Sequence, residues 1–174
     1  MQVSKTKYNE TYVRSVRKAA FGGGIGDLLL SVIKLALGIL GNSQALIADG
    51  VHSLSDLWSD VVLGLGVRYW TAPADKGHPH GHARIETIVS FFIGLALLFL
   101  AGGIIYNALR TMEQLHDTSP GLIVFAGAAV GIAGKEWLFR WTRRLGRKIQ
   151  SSAVIANAWH HRSDAYSSLP VAAA

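Results

Sequence analysis

Cysteine is absent from the 174 residues, which removes disulfide frameworks, thiolate metal sites and cysteine nucleophiles. Any metal must rest on His, Asp, Glu or other oxygen ligands. Acidic residues are scarce as well, 11 against 17 Lys and Arg. A basic balance points to nucleic acid or acidic lipid, and the placement of the charges decides between them. No secretory leader is visible: residues 1–18 are polar, with Lys5, Lys7, Arg14, Arg17 and Lys18, and lack the short apolar core and small-residue cleavage site of a signal peptide. They read as a cytoplasmic segment. A soluble domain, a low-complexity tract and a repeat of fixed period are also missing.

Apolar sequence is what the chain has in quantity. Half of it is hydrophobic, 50% with a mean hydropathy of +0.29, high for a domain with a polar surface. About 20 apolar residues carry a helix across a bilayer. Runs of that order lie at Ala19–Leu40, Ala45–Tyr69, Ile85–Leu109, Leu122–Trp141 and from Ser152 to the end. The expected fold is therefore all-α, a polytopic transmembrane bundle with five helices, spanning 19–174. Basic residues fit that layout, because short loops rich in Lys and Arg stay in the cytoplasm. The N-terminal segment has five, the second-to-third loop Arg68, Lys76 and Arg84, and the fourth-to-fifth loop Arg140, Arg143, Arg144, Arg147 and Lys148. The intervening loops hold only Arg110, while Lys34, Lys135 and Arg162 lie in or near spans. The net charge thus needs no nucleic acid. Glycines at 22–24, 26, 102, 103, 127, 131 and 134 suggest close helix packing.

The second run carries Asp49, His52, Asp56 and Asp60. Residues four apart on a helix project together, so His52 and Asp56 can share one ion. Ionisable groups in a span are costly and face a partner or a watery path. The fifth run repeats the spacing with His160 and Asp164. Two imidazoles and two carboxylates suit tetrahedral zinc and are tolerable to other first-row divalent metals. His161, three before Asp164, is a rival for His160, whose spacing matches the other pair. Asn157, one turn earlier, is a candidate for orienting a ligand. Asp49 and Asp60 read as capping or water-bridged groups near the pore. The loop from Asp75 to Glu86, with His78, His80 and His82, is a second metal-binding candidate.

Three motifs resemble the cation diffusion facilitator family of divalent metal transporters: Ser43-x-Ala45-Leu46-x-Ala48-Asp49-Gly50-x-His52-Ser53-x-x-Asp56, the Gly77-His78-x-x-Gly81-His82-x-Arg84-x-Glu86 loop, and His160-x-x-x-Asp164. The resemblance implies a transport site of His52, Asp56, His160 and Asp164 and a loop site of Asp75, His78 and His82. It also implies export of metal from the cytoplasm. The expected cargo is Zn²⁺, with Fe²⁺, Cd²⁺, Mn²⁺ and Co²⁺ as rivals and protons as counter-ion. Some relatives have Asp where this chain has His52; a second imidazole fits zinc better than manganese. Such proteins are six-helix bundles with a cytoplasmic C-terminal domain, forming homodimers in a cell or inner membrane. The chain is expected to stop inside the fifth helix, at Pro170–Ala174. A non-transporting metal-sensing or scaffold subunit is the alternative. An intramembrane metalloprotease would need a His-Glu-x-x-His motif, which is absent.

Overall fold

The computed structural model describes residues 8–79, 81–111 and 121–169. Every regular element among them is helical: α1 Glu10–Leu40, α2 Gln44–Trp70, α3 Arg84–Thr111, α4 Leu122–Ile149 and α5 Ser152–Ser167. The bundle is built on α1 against α2 and α4 against α5, with α1 also packed on α4 and α3 resting on α5.

Two helices reach further than hydropathy suggests. α1 starts nine residues before Ala19, where the Asn9 side chain accepts the Tyr12 N–H at 2.8 Å, so the expected polar segment 1–18 contributes a helical start. Tyr12, Val16 and Ala19 bury there against Leu63, Val67, Trp70, Ala153 and Val154. Similarly, the basic stretch expected as a loop after Trp141 continues α4 to Ile149. It ends at Gln150 in the left-handed region (φ 53°), directly before Ser151, the N-cap of α5. Hydropathy measures the bilayer-thick part of a helix and is blind to an end carried past it by capping and side-chain packing. α5 closes at Ser167 with Ser168 as C-cap. Pro170–Ala174, His80 and the expected loop at 112–120 lie outside the described residues.

By length and composition, α1, α4 and residues Arg84–Gly103 of α3 are apolar enough to cross a membrane. Their outward faces carry Phe21, Leu29, Leu40, Phe91, Phe99 and Leu122, all more than half exposed, while Asp27, Lys34, Asp56, Lys135 and Asp164 are buried. Apolar outside and charged inside suits lipid as solvent.

Glycine permits the α1–α2 crossing. A Cβ at Gly38 would lie 2.9 Å from the Ile47 backbone nitrogen and 2.8 Å from its Cγ1, and backbone cannot swing aside. Gly102 and Gly103, expected to pack, meet nothing within 4 Å among the described residues. The same substitution should therefore act in opposite directions. Gly38→Ala should lower the unfolding midpoint in detergent, an overpacking cost of about 1–3 kcal/mol outweighing better helix propensity. Gly102→Ala should gain up to about 1 kcal/mol. Equal shifts of one sign would show that the crossing is not close-packed.

Candidate metal centre

α2 and α5 run antiparallel, and their polar residues meet in rungs one helical turn apart. Ser168 donates to Asp49 Oδ1 at 3.0 Å, His52 Nε2 lies 4.0 Å from Asp164 Oδ1, His160 Nε2 lies 3.3 Å from Asp56 Oδ1, and Asn157 donates to Asp60 Oδ1 at 2.8 Å. The matched spacing of the two His/Asp pairs produces this ladder, since equal steps on antiparallel helices stay in register.

The middle rungs bring His52, Asp56, His160 and Asp164 together. His52 Nε2 is also 3.8 Å from Asp56 Oδ1, and His160 Nε2 is 3.8 Å from Asp164 Oδ2. Ligands about 2.1 Å from a tetrahedral ion stand roughly 3.4 Å from each other; His52, Asp56 and Asp164 each offer one atom within 4.8 Å of the others, and His160, 3.3 Å from Asp56 Oδ1 but 3.8 Å from the other oxygen of Asp164, joins them by a side-chain rotation. Both Nε2 atoms and Asp164 Oδ1 have no hydrogen-bond partner among the described residues. Asp56, His160 and Asp164 are buried while His52 is about a third exposed, giving the cluster one open side.

Two residues missed at the sequence level complete the centre. Lys135 of α4, fully buried, places Nζ 2.8 Å from Asp56 Oδ2, 2.9 Å from Asp164 Oδ2 and 2.9 Å from Asp27 Oδ1 of α1. One ammonium thus neutralises part of a three-carboxylate cluster, as burial of such charges requires. Each is a charge within a run of bilayer length, Asp27 in the same run as Lys34 and Lys135 beside Glu136, and that was the available signal.

The accessory candidates fall elsewhere. Asp49 pairs with Lys34 Nζ at 2.9 Å, and the same ammonium donates to Ser53 and Ser168. Asp49 is therefore a structural tie. His161 is no rival for His160: it turns away, with Nδ1 3.7 Å from Asp27 Oδ2. Asn157 touches Asp60 and, at 3.4 Å, His161 Nε2, and none of the four ligands. Consecutive residues on a helix point about 100° apart, which spacing to Asp164 alone could not resolve.

The loop cluster lies beyond the C-terminal end of α2. Asp75 Oδ1 accepts the N–H groups of Gly77 and His78 at 2.9 and 2.7 Å, and Gly81 turns the chain with φ +75°. His82 Nε2 stands 3.5 Å from Asp75 Oδ2 and His78 Nδ1 3.3 Å from Oδ1, and the three residues can address one ion. The His78 N–H foremost, with help from its side chain and from Gly77, holds the Asp75 carboxyl below its ordinary value, so it stays ionised at neutral pH. Glu86, at the start of α3, accepts from Tyr8 at 3.1 Å and Ser151 at 2.7 Å, fastening this end of the bundle.

Residues 23–174 match the sequence profile of the cation efflux transmembrane domain. The chain belongs to the cation efflux family. Among its relatives it is similar to an uncharacterized transporter of Methanocaldococcus jannaschii, 39% identical over 91% of this chain and 56% of the relative. It is also similar to the magnetosome protein MamB of a Magnetospira strain, 38% identical over 79% and 47%. The manganese efflux system protein MneS of Bacillus subtilis is 36% identical over 82% and 49%. The chain spans about half the length of these curated relatives. Family and apolar helices together make it an integral membrane protein.

Proposed function

We propose that this cation efflux domain carries a divalent metal ion across the membrane at His52, Asp56, His160 and Asp164, exchanging it for protons. The convergence of two imidazoles and two carboxylates from α2 and α5 carries the reading. Neutral imidazole and carboxylate bind metal while their protonated forms do not, so metal and protons compete for the same lone pairs. Export from the cytoplasm is the direction, with the basic N-terminus and the basic end of α4 inside a cell or inner membrane. A homodimer is the working unit of this reading.

The two nitrogens and two oxygens favour Zn²⁺. The relative named for manganese efflux makes Mn²⁺ the main competitor. Uptake of Zn²⁺, Mn²⁺, Fe²⁺ and Cd²⁺ into proteoliposomes, with internal pH followed by a dye, tests both cargo and counter-ion. Metal-dependent proton movement opposite to the metal, and weaker metal binding at pH 5.5 than at 7.5, are expected. Binding without any transport would favour a sensing or scaffold subunit, and uptake without proton movement would remove the antiport.

Asp75, His78 and His82 lie outside the membrane helices and act in metal capture. Their role is separable. His78→Ala with His82→Ala should remove one bound metal equivalent in equilibrium dialysis while transport at saturating metal stays within about threefold. Complete loss of transport in a folded protein would place the loop on the transport path itself.

A further inference from the structure

One rung beyond the four ligands, toward the loop end of α2, lies a second cluster that the transport reading does not use. Asp27 of α1, Asp60 of α2 and His161 of α5 each direct one ligand atom into a space where these atoms all lie within 4.8 Å of one another. Asp27, His161 and Asn157 are completely buried, and Asp60 nearly so. One atom of each has no hydrogen-bond partner among the described residues, Asp27 Oδ2, Asp60 Oδ2 and His161 Nδ1, and neither has Oδ1 of Asn157, whose Nδ2 contacts both Asp60 and His161. The three oxygens each present a lone pair, and His161 Nδ1 does so in the tautomer that carries its proton on Nε2.

Burying an acceptor without a donor costs about 1–3 kcal/mol, and more for a charged one. Acceptors gathered around one point are stabilised by a cation there. Their surroundings keep them together. Asn157 Nδ2 holds the other Asp60 oxygen at 2.8 Å, and Lys135 Nζ holds the other Asp27 oxygen at 2.9 Å. A Cβ on Gly23 would stand 2.6 Å from Asp60 Oδ1 and 3.0 Å from Oδ2, so the glycine leaves room for that carboxylate. Lys135 salt-bridges Asp27, Asp56 and Asp164, and thus touches both clusters.

We propose that Asp27, Asp60, His161 and Asn157 form a second intramembrane site for a divalent cation, a station between the loop and the four-ligand centre. Three oxygens and one nitrogen make it harder than the two-plus-two set of the centre, so it favours Mn²⁺ or Fe²⁺ over Zn²⁺. Asp60 follows Asp56 by one turn of α2, about 6 Å along the axis. A cation arriving from the loop side meets this site first. The inference is independent of what the four-ligand centre carries.

The full chain is tested in detergent with His52, His160, His78 and His82 all changed to Ala, which removes imidazoles from the other two sites. Mn²⁺ is the probe, read by electron paramagnetic resonance. One equivalent should remain bound, and its spin-echo modulation should show a single coupled nitrogen, that of His161. Adding His161→Ala should erase the nitrogen coupling and weaken the residual binding on the order of 100-fold, at least as much as loss of a supporting partner does at other metal sites. Gly23→Ala keeps every ligand but crowds Asp60, and should weaken binding by about tenfold or more. Retained thermal unfolding transitions show that each variant is folded. Absence of residual Mn²⁺ in the folded starting variant overturns the site and means that protons alone occupy it, and nitrogen coupling that survives His161→Ala overturns it because the ion then sits elsewhere. Neither result bears on transport through the four-ligand centre, which is read separately in the protein with its histidines intact.

Discussion

Asp56→Asn should abolish metal transport in proteoliposomes while leaving the protein folded. Oδ1 of Asp56 lies within 3.8 Å of both His52 Nε2 and His160 Nε2, and Oδ2 takes the Lys135 ammonium at 2.8 Å. Asp164 also faces both imidazoles, but through separate oxygens at 4.0 and 3.8 Å, whereas Asp56 does so with a single, closer one. The amide keeps the shape but withdraws the charge that balances an incoming dication, and it turns one face into a donor. Loss of a supporting partner at a metal site typically costs 10–100-fold in affinity, so loss of a charged ligand is expected to cost about 100-fold or more. Initial uptake rates across a metal concentration series, with the unfolding midpoint as control, provide the measurement. Uptake within a few-fold of the unaltered protein would remove Asp56 from the centre and with it the proposed four-ligand set.

Lys135→Met should have the largest effect on stability, and metal should reverse it. Three buried carboxylates lie within 2.9 Å of this one ammonium. Removing one partner of a buried ion pair costs about 3–5 kcal/mol, because the remaining charge is uncompensated. A divalent cation held by Asp56 and Asp164 supplies that compensation, so the metal-induced rise in unfolding midpoint should be larger in Lys135→Met than in the unaltered protein. Binding only to the folded state stabilises by mass action, and metal affinity rises where a competing fixed cation is gone. Scanning calorimetry with and without saturating Zn²⁺ and Mn²⁺ reads this directly. A variant as stable as the original without metal, or equally responsive to it, would show that the lysine does not stand in for the ion.

The outline of the bundle and the pairing of α2 with α5 were legible because they depend on local repeats: apolar runs of bilayer length, and two His/Asp pairs at one spacing. Lys135 and Asp27 were not. The lysine's partners Asp56 and Asp164 stand 79 and 29 residues away, and a charge within an apolar run carries no mark of which distant helix will meet it. The choice between His160 and His161 was open for a different reason. Sequence separation from Asp164 placed it within reach, but the azimuth that sends His160 to one side of α5 and His161 to the other is fixed only once α1 and α2 are packed against that helix. Asn157 followed His161 for the same reason, being one turn away on the same face.

The turns between helices have a mechanical consequence. Residues 41–43 join α1 to α2, and Gln150 with Ser151 joins α4 to α5, so neither hairpin has slack for one helix to slide along the other. Asp27, His52, Asp56 and Asp60 ride on the first hairpin, and Lys135, His160, His161 and Asp164 on the second. The molecule is thus a pair of jaws with half of each grip on either side. Parting them would divide both proposed intramembrane donor sets at once while leaving Asp75, His78 and His82 together, so release should be abrupt, and an ion held by both jaws should keep them shut until a proton or the lysine takes its share of the charge.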